Sequence, residues 1–186
     1  MHRIRVIPVL LLDRNGLYKT VKFSNPKYVG DPINAVRIFN DKEVDELVLL
    51  DFRASKENRK IDIKTIQEIA GEAFMPLAYG GGIRCFDDAK SIFRIGFEKV
   101  VLNSYLFESF GMAREIADVY GSQAVIASID VKKDLLGRYK VYGYSGTKNM
   151  GETPIEWARK LVRGGVGEII VNSINRDGTW SGYDQE

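Results

Sequence analysis

Short apolar runs alternate with helical patterns along this chain, and that alternation most constrains its fold. Residues 46–51, 98–102 and 123–130 are near-continuous apolar runs, as in strands that are buried on both faces of a parallel sheet. Each run is followed, after a break, by a segment with apolar residues at helical spacing. This repeated order of strand and helix predicts an α/β fold built on parallel strands.

The sequence predicts six strands and five helices. The strands are expected at residues 4–12, 46–51, 75–79, 98–102, 123–130 and 168–171, and the helices at residues 32–42, 61–71, 86–95, 109–120 and 153–163. Asp31-Pro32 and Thr153-Pro154 each supply an N-cap and a first-turn proline, and Gly96 and Gly121 are expected to close helices. Two connections are long, at residues 13–30 and 131–151, and the alternation of Tyr139 and Val141 predicts a short hairpin in the second.

The strand count also bears on the number of domains. One domain is expected over residues 1–186, as a (β/α)8 barrel of the TIM type with only about six of its βα units. Such a barrel usually needs about 250 residues, and six strands would leave two unpaired edges that favour aggregation. Two explanations of the low strand count are open. The chain is a fragment lacking strands seven and eight, which we favour, or the open barrel pairs with another chain.

Composition and charge exclude several classes of protein. A formal net charge of +2 with no compact basic run gives no reason to expect a nucleic-acid partner, and no stretch is apolar and long enough to span a membrane. The single cysteine, Cys85, fits a reducing cytoplasm. Because His2 is the only histidine, a histidine base or a histidine-rich zinc site is not expected, and any proton chemistry falls to carboxylates and lysines. No cofactor and no metal site are predicted.

A glycine-rich turn predicts a phosphorylated small-molecule substrate. Gly80, Gly81 and Gly82 follow an apolar run, and their missing Cβ atoms let backbone N–H groups approach an oxyanion. Asn103 and Ser104 follow the next strand and would add side-chain donors. This is how a barrel of parallel strands holds a phosphate, although a plain tight turn would explain the glycines as well.

Three aspartates lie at or just beyond the carboxyl ends of predicted strands. Asp51, Asp130 and Asp177 would converge on one mouth of a barrel, where mutual repulsion raises a carboxyl pKa toward the range useful for acid–base catalysis. Alternatively, each aspartate caps the turn that follows it. Asp130 is the favoured catalytic residue because no helix starts directly after it, and Asp51 is a candidate for substrate binding. Lys19 could close over an anionic substrate, but the sequence around it favours an ordinary lysine with its ammonium in water.

Four charged residues lie near the opposite ends of the strands: Arg5, Glu46, Lys99 and Glu168. Two positive and two negative side chains could form a ring at the bottom of the barrel. Charges at strand entries are also ordinary protein surface, so the pattern by itself carries no function.

The chain resembles the cyclase subunit of imidazole glycerol phosphate synthase over essentially all of its length. The resemblance rests on specific segments at residues 45–51, 80–83, 121–125, 144–146, 176–179 and 181–184. It implies a (β/α)8 barrel that receives ammonia from a partner glutaminase at its N-terminal face. The ammonia reacts at the mouth with a phosphoribulosyl-formimino nucleotide, which gives imidazole glycerol phosphate and an aminoimidazole carboxamide ribotide.

The resemblance also implies roles for individual residues. Gly82, Asn103 and Ser104 would hold one phosphate, and Lys19 and Asp51 would line the substrate site. Asp130 matches one of two catalytic aspartates of the family, and Asp177 a further active-site carboxylate. The ring of Arg5, Glu46, Lys99 and Glu168 matches a salt-bridged gate at the ammonia entrance.

Two positions depart from the family pattern. The ungapped match puts Leu11 where the family has its other catalytic aspartate, and leucine cannot carry a proton. Asp13 would replace that residue only after a two-residue slip, which we disfavour because the spacing to Lys19 would then be wrong. Asn172 stands where the family has a threonine near the end of strand six, among the residues expected to bind substrate.

Three functions follow from this pattern. The first is the histidine-pathway cyclase. The second is a divergent relative that passes ammonia to another acceptor, as in the amidation of a surface-polysaccharide sugar, and Leu11 favours it over the first. The third is a non-catalytic barrel that activates a glutaminase, which the phosphate loop disfavours. The sequence does not name the acceptor.

Overall fold

A computed structural model describes residues 4–185, so His2 lies outside the described residues. The described residues divide into two compact units: residues 4–18 with 28–101, and residues 19–27 with 102–185. Both contain parallel strands joined through helices, which confirms the predicted α/β class. The expectation of a single domain stays a prediction.

The first unit is built on four parallel strands: β1 (Val9–Asp13), β4 (Leu47–Asp51), β5 (Leu77–Gly80) and β6 (Lys99–Leu102, of which Leu102 falls in the second unit). They pair in that order, with Leu11 opposite Leu50 and Tyr79 opposite both Leu49 and Val100. Helices α1 (Pro32–Asp41), α2 (Ile63–Glu72) and α3 (Phe86–Arg94) connect them. Leu47, Val48 and Leu49 are fully buried, as expected where helices cover a parallel sheet.

The second unit contains β7 (Val125–Lys133) and β10 (Glu168–Ser173), which pair in parallel, and the short strands β8 (Tyr139–Gly143) and β9 (Lys148–Asn149). Helices α4 (Gly111–Tyr120) and α5 (Pro154–Arg163) connect these strands. Ile116, Ile126, Ile129 and Leu161 form the fully buried centre of this unit. β8 runs antiparallel to β7 and β9 antiparallel to β8, which confirms the predicted hairpin in residues 131–151.

The predicted count of six strands is wrong, because the described residues contain ten. The loop at residues 13–30 folds into two further strands, β2 (Gly16–Val21) and β3 (Ser24–Gly30), and β2 pairs antiparallel with β1. The turn at Arg14 and Asn15 is tight, so a segment that resembles a long loop in sequence is a hairpin in structure. The expectation of a chain that lacks its seventh and eighth strands is not supported by this count.

The helix boundaries follow the predicted capping signals. The Asp31 side chain accepts a hydrogen bond from the Asn34 N–H, and Thr153 forms a capping box with Glu156. α4 ends at Gly121, whose φ is +88°. Among residues 4–185, every helix is too short or too polar to cross a bilayer.

Candidate active site

Asp130 lies at the centre of a hydrogen-bonded cluster in the second unit. The Nδ2 atom of Asn103 donates to Asp130 Oδ2 at 3.0 Å, and the Nδ2 atom of Asn172 donates to Asp130 Oδ1 at 2.9 Å. Asn103 directly follows β6, and Asn172 lies opposite Asp130 in the pairing of β10 with β7. The second unit therefore brings together three of the residues predicted from the sequence.

Burial governs the ionisation of Asp130. The residue is 6% exposed, and its desolvation raises the pKa of the carboxyl above the ordinary value for aspartate. Hydrogen bonds from Asn172, Asn103 and Ser128 act in the opposite direction by favouring the charged form. A carboxyl with a raised pKa and fixed donors on both oxygens has the properties of a general acid or base. Catalysis by Asp130 stays a prediction.

Asp51 is engaged in the first unit by the loop that follows it. Its Oδ1 accepts hydrogen bonds from the backbone N–H groups of Arg53 and Ala54, and the guanidinium of Arg59 contacts both carboxylate oxygens at 3.0 and 3.1 Å. Burial raises the pKa of Asp51, while Arg59 and the two backbone donors work against that rise. These contacts show the capping role that the sequence offered as the alternative, and substrate binding by Asp51 stays a prediction.

Leu11 and Asp13 decide whether the first strand offers a catalytic carboxylate. Leu11 lies in the middle of β1, between Leu50 of β4 and Tyr18 of β2. Asp13 Oδ1 is 2.8 Å from Arg59 Nη2, and Asp13 Oδ2 is 3.4 Å from the Nε atom of Arg53. Both carboxylate oxygens of Asp13 thus contact arginine, so this residue is occupied by ion pairs.

The glycine-rich turn has the backbone geometry that only glycine adopts readily. Gly81 and Gly82 have φ values of +108° and +73°, and a Cβ on Gly81 would overlap the carbonyl oxygen of Asp51. The N–H of Gly82 donates to Ser55 Oγ at 3.3 Å. Gly81 and Gly82 belong to the first unit, and Asn103 and Ser104 belong to the second. Phosphate binding by these four residues stays a prediction.

Asp177 connects two turns of the second unit. Its Oδ2 accepts hydrogen bonds from Thr20 Oγ1 at 2.7 Å and from the Phe23 N–H at 2.9 Å, and its carbonyl oxygen accepts one from the Lys22 N–H. The carboxylate therefore holds residues 20–23 against the segment that follows β10. Its catalytic role stays a prediction.

Lys19 is exposed, and its ammonium lies 5.8 Å from the centre of the Trp180 ring. An exposed cation over an aromatic face is a weak contact of about 0.5–1 kcal/mol, so Lys19 can leave it at little cost. This freedom is compatible with a side chain that closes over a substrate, which stays a prediction.

Three of the four predicted gate residues lie together in the first unit. Glu46 Oε2 is 2.8 Å from Lys99 Nζ and 3.1 Å from Arg5 Nη1. Glu46 is 3% exposed, and its Oε1 receives no hydrogen bond from residues 4–185. A buried carboxylate of this kind depends on its cationic neighbours. Glu168 begins β10 in the second unit.

Three residues that the sequence analysis did not single out are central to these clusters. Arg59 joins Asp13 and Asp51, Ser55 contacts the glycine turn, and Ser128 lies two residues before Asp130 and bonds to Asn172. The period-two alternation of β7 places Ser128 and Asp130 on one face and could have identified Ser128. Within the described part of the chain, no group of three histidine, cysteine or acidic residues is arranged to hold a metal ion.

Comparisons with known proteins agree with the resemblance seen in the sequence. The chain is 53% identical over 184 residues to a Pseudomonas aeruginosa protein named "Putative imidazole glycerol phosphate synthase subunit hisF2", covering 99% of this chain and 73% of that protein. A Leptospira interrogans protein named "Putative imidazole glycerol phosphate synthase subunit HisF" is 46% identical over 187 residues, covering 100% and 74% of the two chains. The "Imidazole glycerol phosphate synthase subunit HisF" of Alkaliphilus metalliredigens is 41% identical over 182 residues, covering 98% and 72%.

The resemblance to the cyclase subunit of imidazole glycerol phosphate synthase is thereby confirmed. Residues 5–186 also match the family described as "Histidine biosynthesis protein", which supports a fold of the TIM-barrel type. The chain belongs to this histidine biosynthesis family.

Proposed function

We propose that this protein is an ammonia-dependent synthase subunit of the HisF type. In this proposal it converts the phosphoribulosyl-formimino nucleotide to imidazole glycerol phosphate and the aminoimidazole carboxamide ribotide. The single observation that carries the proposal is the buried Asp130 carboxyl with its two amide donors, because general acid–base catalysis needs a positioned group with a shifted pKa. Membership of the family supports it independently.

The proposed residue roles follow from position and surroundings. Asp130 exchanges protons with the substrate, and Asp177 contributes a second carboxylate of which one oxygen, Oδ2, already holds the turn at residues 20–23. The residues proposed to line the binding site of the substrate and its phosphate are Lys19, Asp51, Gly81, Gly82, Asn103, Ser104 and Asn172. The positive φ of Gly82 and the long hydrogen bond to Ser55 leave an N–H that a phosphate oxygen could take over.

The proposal includes a glutaminase partner at the N-terminal face of the barrel and a cytoplasmic location. Ammonia from this partner would enter past Arg5, Glu46, Lys99 and Glu168. The two cations on buried Glu46 support the idea, because a salt-bridged cluster can change partners without burying a lone charge. The names of the relatives describe them as synthase subunits, which also favours a partner.

A second candidate function rests on Leu11. Half of the expected acid–base pair is missing, and Asp13 is held by Arg59 and Arg53. A divergent relative that passes ammonia to another phosphorylated or nucleotide-activated acceptor, as in amidation of a surface-polysaccharide sugar, needs no cyclisation pair. A non-catalytic activator of a glutaminase would not need the glycine turn.

The test is ammonium-driven conversion of the phosphoribulosyl-formimino nucleotide by the wild-type protein, with Leu11→Asp and Asp130→Asn beside it. For the cyclase we expect wild-type turnover that Asp130→Asn lowers by at least about 100-fold. Absence of turnover in the wild type, together with retained glutaminase activation, would favour the divergent relative. If neither turnover nor activation occurs, both functions are wrong.

The entry route has its own test. Lys99→Met should reduce glutamine-driven turnover more than ammonium-driven turnover, because added ammonium can reach the site without passing the cluster around Glu46. The matched control is Lys64→Met at an exposed position of α2. Equal losses in the two assays would contradict the gate.

A further inference from the structure

Asn172 uses both protons of its side-chain amide on neighbouring residues of β7. Its Nδ2 donates to Ser128 Oγ at 2.8 Å and to Asp130 Oδ1 at 2.9 Å. Ser128 and Asp130 are two residues apart on β7 and therefore face the same side. Asp130 lies opposite Asn172 in the pairing of β7 with β10, and Ser128 lies opposite Ile170, two residues before Asn172. The amide is thus fixed at two points.

We propose that Asn172, anchored on Ser128, is a positioning residue that fixes the Asp130 carboxyl group and favours its ionised form. This inference deepens the proposed function, on which its meaning for catalysis rests. The structure gives Asn172 no free amide proton for a substrate. Its effect on the reaction therefore passes through Asp130.

The hydrogen bonds around Asp130 are matched to a carboxylate. Asn172 donates to one oxygen and Asn103 to the other, and Asn103 is itself fixed by a second bond to the Ser128 carbonyl oxygen at 3.0 Å. A carboxylate accepts at both oxygens, whereas a protonated carboxyl presents an O–H to one of these donors. Protonation of Asp130 therefore disrupts at least one of the two amide contacts, and this counteracts the effect of burial.

Within the part of the chain that the structure describes, no ion pair contributes to the balance between the ionised and the protonated form of Asp130. Tyr142 of β8 lies opposite Asp130 in the β7–β8 pairing, and the Lys132 ammonium lies 5.7 Å from the centre of the Tyr142 ring. Asn103, which follows β6, and Asn172 of β10 present neutral amides to Asp130. Neutral donors thus take the place that a cation occupies beside Asp13 and Asp51.

The choice of asparagine matters because of its number of donors. An asparagine Nδ2 carries two N–H groups and can bridge Ser128 and Asp130, whereas a threonine hydroxyl has a single proton to donate. Asn172→Thr is therefore expected to keep one of the two contacts. Asn172→Leu keeps the branched shape and the number of side-chain heavy atoms and removes both contacts.

The test measures the ionisation of Asp130 directly, without a substrate. Protein labelled with 13C at the aspartate carboxyl is titrated by NMR, and Asp130→Asn identifies the Asp130 signal. We expect the titration midpoint of Asp130 to rise by about one pH unit in Asn172→Leu, with a smaller rise in Ser128→Ala and Asn172→Thr. Val171→Ala is the matched control, because Val171 is the neighbour of Asn172 on the opposite face of β10 and is 60% exposed.

An Asp130 midpoint in Asn172→Leu within about 0.3 pH units of the wild type, or lowered, would overturn the inference. If Asn172→Leu does not fold, Ser128→Ala and Asn172→Thr decide the question by the same criterion. The pH dependence of ammonium-driven turnover separates this inference from the proposed function. A raised midpoint in a protein that lacks cyclase activity would support the positioning role and contradict the proposed reaction.

Discussion

The guanidinium of Arg59 lies 2.8 Å from the carboxylate of Asp13 at the end of the first strand. Arg59 also contacts Asp51, so one arginine joins the ends of β1 and β4. The sequence resemblance puts Leu11 at the place of the family's strand-one aspartate, and Asp13 is the nearest acidic residue to Leu11 in the sequence. Both carboxylate oxygens of Asp13 contact arginine, so Asp13 is poorly placed to act as the proton donor that Leu11 cannot be. Replacing Asp13 should therefore affect stability rather than catalysis.

We therefore expect Asp13→Ala to lower the free energy of unfolding by about 2–3 kcal/mol. The reason is that Asp13 is 9% exposed and its removal leaves Arg59 and Arg53 with fewer acceptors. Urea unfolding measures the change. Asp118→Ala serves as the control, because Asp118 is exposed on α4 and makes no hydrogen bond or ion pair with residues 4–185. Equal effects of the two substitutions would contradict the role of the Arg59 contact.

The raised pKa of Asp130 predicts a pH-dependent stability. Because the folded-state pKa lies above the unfolded value of about 3.9, the favourable contribution is complete below about pH 4 and is lost as pH rises through the folded pKa. The free energy of unfolding of the wild type relative to Asp130→Asn should therefore fall with rising pH above about pH 4. The slope for one group cannot exceed about 1.4 kcal/mol per pH unit.

Asp134→Asn provides a control of opposite sign for this experiment. Hydrogen bonds from the Arg138 backbone and side chain lower the pKa of Asp134, so its contribution to stability is present at neutral pH and is lost as pH falls. Urea unfolding of the three proteins between about pH 3.5 and 7.5 gives both slopes. A flat difference between wild type and Asp130→Asn would contradict the burial effect on Asp130.

Hydrophobic patterning and capping residues were enough to predict the central elements of this fold. The runs at residues 46–51 and 98–102 are strands, and Thr153-Pro154 begins a helix, because local sequence and burial favour the same structure there. β2 and β3 were missed. Residues 24–30 are mostly exposed and residues 16–21 mix buried with exposed positions, so no continuous apolar run marks either strand. Their pairing depends on the turn that returns β2 to β1.

The place of Asp130 near the end of a strand was predictable from the apolar run before it, although β7 continues for three residues beyond it and its catalytic role stays a prediction. The contacts of that residue were not, because the register that places Asn172 opposite Asp130 is a tertiary property. Arg59 was missed for a similar reason: eight residues separate it from Asp51, and only the path of the loop brings the two side chains together. Sequence position therefore identified the acids better than it identified the groups that hold them.

The contributions of Lys99 and Glu46 to the free energy of unfolding should be strongly coupled. Lys99→Met leaves a carboxylate that is 3% exposed without its closer cation, which we expect to cost about 3 kcal/mol. Glu46→Leu added to Lys99→Met should recover part of that loss, because the uncompensated charge is then removed. A double-mutant cycle by urea unfolding should give a coupling of about 1–3 kcal/mol, and additive effects would contradict the coupling.

Gly178 allows the close contact between the segment after β10 and the turn held by Asp177. Its φ is +64°, and a Cβ at this position would overlap the carbonyl oxygen of Thr20. Gly178→Ala should therefore lower the free energy of unfolding and speed tryptic cleavage after Lys19 and Lys22, because the turn is no longer held in place. Gly182→Ala is the matched control, since Gly182 has a φ of +76° and open space around its Cβ position. Both variants carry the cost of a left-handed alanine, about 1 kcal/mol. Only the extra loss in Gly178→Ala, expected at about 1 kcal/mol or more, reports the contact with Thr20, and equal losses would show that this contact contributes nothing.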